Sequence, residues 1–314
     1  MLPCGTFLIL CSLTAVCYCT TDFLNLFGYQ VTGKTLTTVS TSDDLVCAEA
    51  CAKNKSCWGF QLVEYSTKCI LFQSLTGITQ DDTQCTYYVK KLGPVKVAGQ
   101  SLSFIDELRV SLMYASKKAC PDGWTQNGKT CYLVSDELSC YLIPSALGAF
   151  WNGSACVLPA MNTSYTCESV SFTLYNATDG EFCYLAIPQT ATTSNDTQRY
   201  GYYNNICYEQ TGGGSLASIH SSAENDFIDD MGALFMIGLI ATSGKISSAS
   251  DVSWIDGTPV DYTQYKDSTT PPTTTDFYFT IVDLYKDFVT DYTTIPERTS
   301  LLCRVAATLV LTKN

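Results

Sequence analysis

The chain carries few positive charges: 18 lysines and arginines stand against 30 aspartates and glutamates, a formal net charge of −12 over 314 residues. Such a surface repels nucleic acid, which is a polyanion, rather than attracting it. The composition therefore excludes nucleic-acid-binding proteins as a class. The length predicts about two domains, since domains commonly have about 100–200 residues.

Histidine is nearly absent, with His220 as its single copy. A catalytic triad needs a nucleophile and an orienting acid beside the histidine, and no motif around His220 marks either group. A carboxylate pair of the glycosidase type is an open alternative that no motif supports. We expect that the protein is not an enzyme.

Long apolar runs are also missing. A bilayer-spanning helix needs about 20 apolar residues, and the N-terminal run "GTFLILCSLTAVC" is shorter. Small residues follow it, as in a secretory signal peptide. We predict a signal peptide at residues 1–17, no transmembrane segment, and a secreted, extracellular protein.

Cysteine, in contrast, is abundant, with 17 copies. In a secreted chain this number indicates a disulfide framework rather than metal ligands. Cleavage after Cys17 leaves an even number of cysteines and gives Cys19 a partner, for which Cys85 is the candidate. An unpaired cysteine and an intermolecular bridge remain alternatives.

The stretch "TSDDLVCAEACAKNKSCWGFQL" predicts a helix followed by a strand. Ser42 is the expected N-cap. Cys47 and Cys51 are four residues apart and therefore share one helical face. The helix can be joined to the following strands by Cys47–Cys69 and Cys51–Cys57. A zinc site is the rival interpretation, but the usual C-x-x-C spacing is missing.

This cysteine pattern resembles the PAN/apple family, particularly the short variant found in nematode secreted proteins. We assign residues 18–95 to such a domain, with one helix on an antiparallel sheet. The resemblance implies binding of protein or glycan, and no catalysis. Residues 96–117 contain no cysteine and are expected to be a connector, with room for a short helix.

In the second unit, "GGGSLASIHSSAEN" at residues 212–225 predicts a helix end, a short buried strand and a new helix. The glycines allow a left-handed exit from the first helix. In the strand, alternation places His220 opposite Ala217 and Ile219. Ser221 and Glu224 have the spacing of a capping box, which begins the new helix.

The motifs "CPDGW", "GGSLASIHS", "IGL" and "WIDGTPVDYTQY" follow one another in the order seen in C-type lectin-like domains, whose nematode members they resemble most. We assign residues 118–308 to this α+β domain. The resemblance implies the disulfides Cys120–Cys131 and Cys207–Cys303, the second joining the first helix to the last strand. Closing so long a loop contributes about 4–5 kcal/mol in the chain-entropy model.

Sugar-binding members of this family hold a calcium ion in a long loop, and calcium needs six to eight oxygen ligands. Here the corresponding segment is "YKDSTTPPTTTDFYF", and in the later motif only Asp291 matches a ligand. We therefore predict no cofactor and no standard calcium site. If a ligand binds at the family position, the expected contacts are Tyr262, Tyr265, Asp267, Tyr278, Tyr285 and Asp291; the alternative is that the tyrosines are ordinary strand and core residues.

An insertion at about residues 136–200 contains Cys140, Cys156, Cys167 and Cys183, which can pair in three ways. Because glycans must face water, its sequons predict an exposed excursion stapled by disulfides. The glycosylation sequons of the whole chain are at Asn54, Asn152, Asn162, Asn176 and Asn195.

These features together predict a secreted recognition protein that binds an extracellular glycan or protein. A role in innate defence rests on family analogy alone. A self-associating component of an extracellular coat is the alternative function.

Overall fold

The computed structural model describes residues 23–26, 29–54, 56–63, 67–80, 86–90, 92–177, 180–188, 199–232, 234–241, 251–265, 280–282, 287–290 and 299–314. The predicted signal peptide, the pair Cys19–Cys85 and the sequon at Asn195 lie outside the described residues. In the part of the chain described, no helix combines the length and the apolarity needed to cross a bilayer.

The N-terminal unit is one helix packed on an antiparallel sheet. The strands lie in the order β1-β5-β3-β4-β2. Its elements are β1 (Phe23–Asn25), β2 (Tyr29–Val39), α1 (Asp44–Ala52), β3 (Gly59–Leu62), β4 (Cys69–Gln80) and β5 (Thr86–Lys90). The helix and sheet are joined by the disulfides Cys47–Cys69 and Cys51–Cys57, and all four cysteines are fully buried.

The cap of α1 is Asp43, so the prediction of Ser42 was wrong by one residue. The Asp43 carboxylate accepts a hydrogen bond from the backbone N–H of Leu45 at 2.8 Å. A carboxylate at this position satisfies a free helical N–H and also interacts favourably with the positive end of the helix dipole.

The predicted connector contains a helix buried on two sides. β6 (Val95–Val97) and β7 (Gln100–Ser101) precede α2 (Phe104–Met113). On one face of α2, Leu108 and Leu112 pack into the apolar cluster of the N-terminal sheet. From the other face, Val110 and the following Tyr114 join a cluster with the C-terminal strand. The segment is therefore part of both cores rather than a free linker.

The second unit is built from short strands and three further α-helices within the described residues. Its elements are β8 (Thr125–Asn127), β9 (Thr130–Leu133), α3 (Glu137–Tyr141), a 3₁₀ turn (Ser145–Leu147), β10 (Phe150–Trp151), β11 (Cys156–Pro159), β12 (Met161–Thr166), β13 (Thr173–Ala177), β14 (Gly180–Pro188), α4 (Arg199–Thr211), β15 (Ser215–Leu216), α5 (Ser222–Asp230), β16 (Leu234–Met236), β17 (Leu239–Ala241), β18 (Val252–Trp254), β19 (Thr280–Val282), β20 (Phe288–Thr290), β21 (Thr299–Ala306) and β22 (Thr308–Lys313).

These strands form several sheets, which confirms the predicted α+β class. The largest has the order β13-β14-β21-β16-β19-β20, with β15 added on β21. Two smaller sheets have the orders β10-β11-β9-β8 and β12-β22-β6-β7, and β17 pairs with β18. Because β6 pairs with β22, the chain segment that leaves the N-terminal unit is built into the sheet of the second.

The insertion is not an exposed excursion, and this part of the prediction was wrong. β12 pairs with β22, and β14 pairs with β21, so the insertion supplies strands to two central sheets. Met161 and Tyr184 are buried, whereas Asn162 beside Met161 is exposed. Side chains alternate between the two faces of a strand. A strand can therefore carry an exposed sequon and a core residue at adjacent positions.

The disulfides of the second unit connect neighbouring elements. The structure contains Cys120–Cys131 and Cys207–Cys303, and in the insertion it selects Cys140–Cys156 and Cys167–Cys183 from the three possible pairings. Cys303 lies on β21 rather than on the last strand, because β22 follows it and continues past residue 308.

The glycine-rich corner ends α4 as predicted. Gly212 and Gly213 have φ angles of 71° and 126°, which side chains with a Cβ rarely adopt. The following strand, β15, is shorter than predicted. Residues 216–220 are all buried, so burial does not alternate between His220 and its neighbours Ala217 and Ile219. Alternation fails here because protein covers this segment on both sides.

Candidate functional site

The candidate site lies where the described parts of the long loop, residues 251–265 and 287–290, pack against α5. Of the predicted ligand contacts, Tyr262 and Tyr265 are described. Asp267, Tyr278, Tyr285 and Asp291 lie outside the described residues.

Phe288 forms the base of the site. It is 1% exposed, and three aromatic rings approach it edge-on. The ring centroids of Tyr262, Trp254 and Tyr265 lie 6.0, 6.1 and 6.2 Å from that of Phe288. Such edge-to-face contacts hold the loop in one conformation and add to the burial of the rings.

Tyr265 is a core residue, which corrects its assignment as a ligand contact. It is 8% exposed and belongs to the cluster around Trp254 and Phe288. Its backbone also forms a parallel bridge with Phe288. A ring enclosed in this way has no face for a sugar to stack on. Tyr262 is only partly buried and stays at the edge of the cluster.

Above this aromatic base, polar side chains form a hydrogen-bonded chain. The Tyr262 hydroxyl donates to Gln264 Oε1 at 2.6 Å, and Gln264 Nε2 donates to Asp287 Oδ1 at 3.3 Å. Asn225 Nδ2 approaches Gln264 Oε1 at 3.5 Å from α5. The backbone carbonyl of Gln264 accepts from Phe288 N–H at 2.5 Å, so its position is held by the main chain as well.

A second contact anchors the start of this loop. His220 Nδ1 lies 2.7 Å from Asp261 Oδ1, and the side chains are 3% and 34% exposed, respectively. The histidine ring is also 6.1 Å from the Trp254 ring. His220 therefore links the buried 216–220 segment to the loop, and the Asp261 carboxylate reaches solvent beside Tyr262.

All cysteines in the described residues are in disulfides, so this part of the chain has no free thiol nucleophile.

A buried charge pair supports the site from below. Glu224 is fully buried, and its Oε1 lies 3.7 Å from Arg304 Nη2. The same carboxylate accepts hydrogen bonds from the Tyr184 hydroxyl and from the backbone N–H of His220, the latter at 2.8 Å. Arg304 also donates to the Ser218 hydroxyl at 2.6 Å. Charged hydrogen bonds of this kind satisfy groups that water cannot reach.

The pairing of Glu224 with Arg304 was not predicted from the sequence. Glu224 has the spacing of a capping-box residue, and Ser221 Oγ does accept from its backbone N–H at 3.1 Å. The Glu224 side chain, however, accepts from His220 N–H rather than from the N-cap residue. The available signal was Arg304 inside the apolar run "LLCRVAATLVL", because a cation in a buried strand requires a counter-charge.

The described groups do not fit a calcium ion. The site has the two carboxylates of Asp261 and Asp287, and both are engaged in hydrogen bonds to neighbouring side chains. Calcium requires six to eight converging oxygens. Within the described ranges, acidic and metal-binding side chains form no group of three or more. The segment with Pro271 and Asp291 lies outside those ranges, so the absence of the standard calcium site stays a prediction.

Burial raises the pKa of the Tyr265 hydroxyl from 10.0 to about 12. The folded state thus favours the neutral phenol, and its stabilising contribution is complete below pH 10 and lost as the pH rises through 12. We expect the free energy of unfolding to fall by about 2 kcal/mol over this interval because of Tyr265. Denaturant titrations at increasing pH measure the fall. Burial also raises the pKa of Tyr88, Tyr114 and Tyr165, so Tyr265→Phe should reduce the measured fall by about 2 kcal/mol rather than abolish it. Tyr208→Phe, at an exposed position, should leave the fall unchanged; equal slopes in all three proteins would contradict the assignment.

The sequence model of the PAN domain family matches residues 17–92. The N-terminal unit is a PAN domain. The prediction of this family from the cysteine spacing is therefore confirmed. The match to the PAN domain overlaps the predicted range 18–95, and the domain boundaries themselves stay a prediction. No curated protein sequence matches the chain.

The chain is also similar to several solved structures. A calcium-independent type II antifreeze protein is 28% identical and covers 46% of this chain and 97% of its own, with a TM-score of 0.33. The cow C-type carbohydrate-recognition domain of CD23 is 18% identical and covers 46% of this chain and 99% of its own, with a TM-score of 0.35. The C-type lectin CEL-I from Cucumaria echinata is 16% identical and covers 46% of this chain and 98% of its own, with a TM-score of 0.31. C-type lectin domains are among the solved structures to which the chain is similar. Nematode origin stays a prediction.

Proposed function

We propose that the chain is a secreted, non-enzymatic recognition protein that binds an extracellular glycan or protein without the standard calcium site. The observation that carries this proposal is the polar chain of Tyr262, Gln264 and Asp287 on a rigid aromatic base. The proposed contacts in the described residues are these three and Asp261. Asp267, Tyr278, Tyr285 and Asp291 remain proposed contacts outside them.

The chemistry of these groups suits a polyhydroxylated or polar ligand. A carboxylate accepts hydrogen bonds, a side-chain amide both donates and accepts, and a phenol ring adds an apolar face. In the free protein these groups bond to one another, so a ligand that exchanges with them finds them already positioned. Preorganisation of this kind lowers the entropic cost of binding.

The cysteines support an extracellular location. Every cysteine in the described residues is in a disulfide, and such frameworks form in oxidising compartments. Among the described sequon asparagines, Asn152, Asn162 and Asn176 are exposed and Asn54 is partly buried. Exposure of the asparagine is what glycosylation in the secretory pathway requires.

The proposal is tested with the secreted full-length protein on a glycan array, with and without a calcium chelator. We expect binding that the chelator does not change. Tyr262→Ala and Gln264→Ala should each weaken it at least tenfold, which corresponds to about 1.4 kcal/mol or more. Tyr208→Ala is the matched control, since Tyr208 is 58% exposed on α4, outside the site.

The other outcomes separate the alternatives. Binding that the chelator abolishes would contradict the calcium-independent site. Binding to no glycan, together with a monodisperse monomer on sizing, would favour a protein ligand. Concentration-dependent oligomers would favour the self-associating coat component instead.

A further inference from the structure

An exposed aromatic residue stands two positions before one of the glycosylation sequons. Phe150 is 56% exposed at the start of the β10–β11 hairpin, a high exposure for a phenylalanine. The sequon Asn152-Gly153-Ser154 begins immediately after β10. Both Phe150 and Asn152 are open to solvent.

The hairpin turn holds the Asn152 amide in a defined orientation. Asn152 Oδ1 accepts hydrogen bonds from Ser154 N at 3.0 Å, Ser154 Oγ at 3.1 Å and Ala155 N at 2.9 Å. Gly153 has a φ of 94°, which allows the chain to turn at this point. Because the amide oxygen is directed into the turn, the amide nitrogen of the same planar group is directed away from it, towards solvent.

Phe150 and Asn152 lie on the same face of the hairpin. The backbone N–H of Asn152 donates to Ala155 O at 3.2 Å, which continues the antiparallel pairing one residue beyond β10. In an extended chain, residues two apart share a face and are separated by about 6.6 Å. A sugar ring attached to Asn152 Nδ2 can therefore reach the Phe150 ring.

We infer that Asn152 carries an N-linked glycan whose first sugar stacks on Phe150. In the modification, Asn152 Nδ2 attacks the anomeric carbon of a lipid-linked oligosaccharide diphosphate. The N–C bond forms, the bond from that carbon to the phosphate oxygen breaks, the lipid diphosphate leaves with the electron pair, and Nδ2 releases one proton. The apolar C–H face of the sugar then covers the electron-rich face of the phenylalanine ring.

The other sequons lack this arrangement, which makes them internal controls. The position two residues before the asparagine holds a small, aliphatic or polar side chain in each of them. These residues are Ala52 before Asn54, Ala160 before Asn162, Leu174 before Asn176 and Thr193 before Asn195.

The stacking also accounts for an exposed phenylalanine in a stapled hairpin. β11 begins at Cys156, which is bonded to Cys140 of α3. A sugar that packs on Phe150 removes apolar surface from water and lies along the strand that leads into the turn. The glycan is therefore expected to stabilise this hairpin, whereas glycans at the other sequons add solubility only.

The inference rests on the secretion included in the proposed function, and the experiment uses the full chain expressed in secretory cells. Glycopeptide mass spectrometry of the wild type should find Asn152 occupied. For stability, the other four asparagines are replaced by glutamine, and the thermal midpoint is compared for three forms: intact glycan, glycan trimmed to the first sugar, and protein made without glycosylation.

With Phe150 present, the intact and trimmed forms should both melt about 2–3 °C above the unglycosylated form. With Phe150→Ala, this difference should disappear. A variant in which Asn162 carries the remaining sequon should show no such difference, because Ala160 offers no ring. Proton NMR should detect an upfield shift of the first sugar's C–H protons in the Phe150 protein alone.

Two results would overturn the inference without affecting the proposed function. One is a secreted protein with Asn152 unmodified while other sequons are occupied. The other is an equal thermal shift with Phe150 and with Phe150→Ala. A chain retained in the cell without any glycan would overturn both proposals.

Discussion

Replacing Cys207 and Cys303 together by alanine is expected to lower the free energy of unfolding by about 4–5 kcal/mol. This disulfide closes a segment of 96 residues between α4 and β21, and both cysteines are fully buried. In the chain-entropy model, the bond stabilises the fold because it removes many conformations from the unfolded chain. Equilibrium unfolding in urea under non-reducing conditions measures the loss.

The control is the double replacement of Cys51 and Cys57, whose sequence separation is 6. The same model predicts a loss of about 2 kcal/mol for so short a loop. A similar loss from both double variants would show that loop length does not determine the contribution of Cys207–Cys303.

Glu224→Gln is expected to destabilise the protein by about 3–5 kcal/mol, because it leaves the Arg304 guanidinium buried without its counter-charge. Glu224 is fully buried and Arg304 is 4% exposed, so water cannot replace the lost partner. The Arg304 guanidinium also lies 3.5 Å above the centroid of the Phe182 ring, which keeps it in the interior. Urea unfolding of the variant and the wild type gives the difference.

The matched control is Glu49→Gln, which breaks the exposed Lys53–Glu49 pair at 2.6 Å. Exposed pairs of this kind contribute about 0–1 kcal/mol. The double variant Glu224→Gln with Arg304→Met should lose less free energy of unfolding than the two single variants lose together, since the two side chains interact. If Glu224→Gln cost no more than Glu49→Gln, the buried pair would have no structural role.

Much of the local structure was predictable because short-range spacing determines it. The positions of Cys47 and Cys51 one helical turn apart place both sulfurs on the same side of α1, facing the sheet. Gly212 ends α4 because a left-handed residue is required there. The PAN domain could likewise be identified from the cysteine spacing within one continuous segment.

The predictions of burial and exposure were wrong where burial depends on distant parts of the chain. Alternation placed His220 opposite Ala217, although all residues of the 216–220 segment are buried. The sequons suggested an exposed insertion, yet β14 lies against β21 in the largest sheet. The family position of the long loop placed Tyr265 in a candidate ligand site, while the structure packs it against Phe288.

The sequence by itself indicated the PAN domain, its disulfides Cys47–Cys69 and Cys51–Cys57 and the glycine end of α4, since each depends on residues close together in the chain. Secretion stays a prediction. The tertiary structure alone decided that α2 belongs to two cores, that Glu224 pairs with Arg304 and that His220 anchors Asp261. These contacts join residues far apart in sequence. A charge or an apolar face acquires such a partner only when folding removes both from water, and linear spacing does not encode which partner that is.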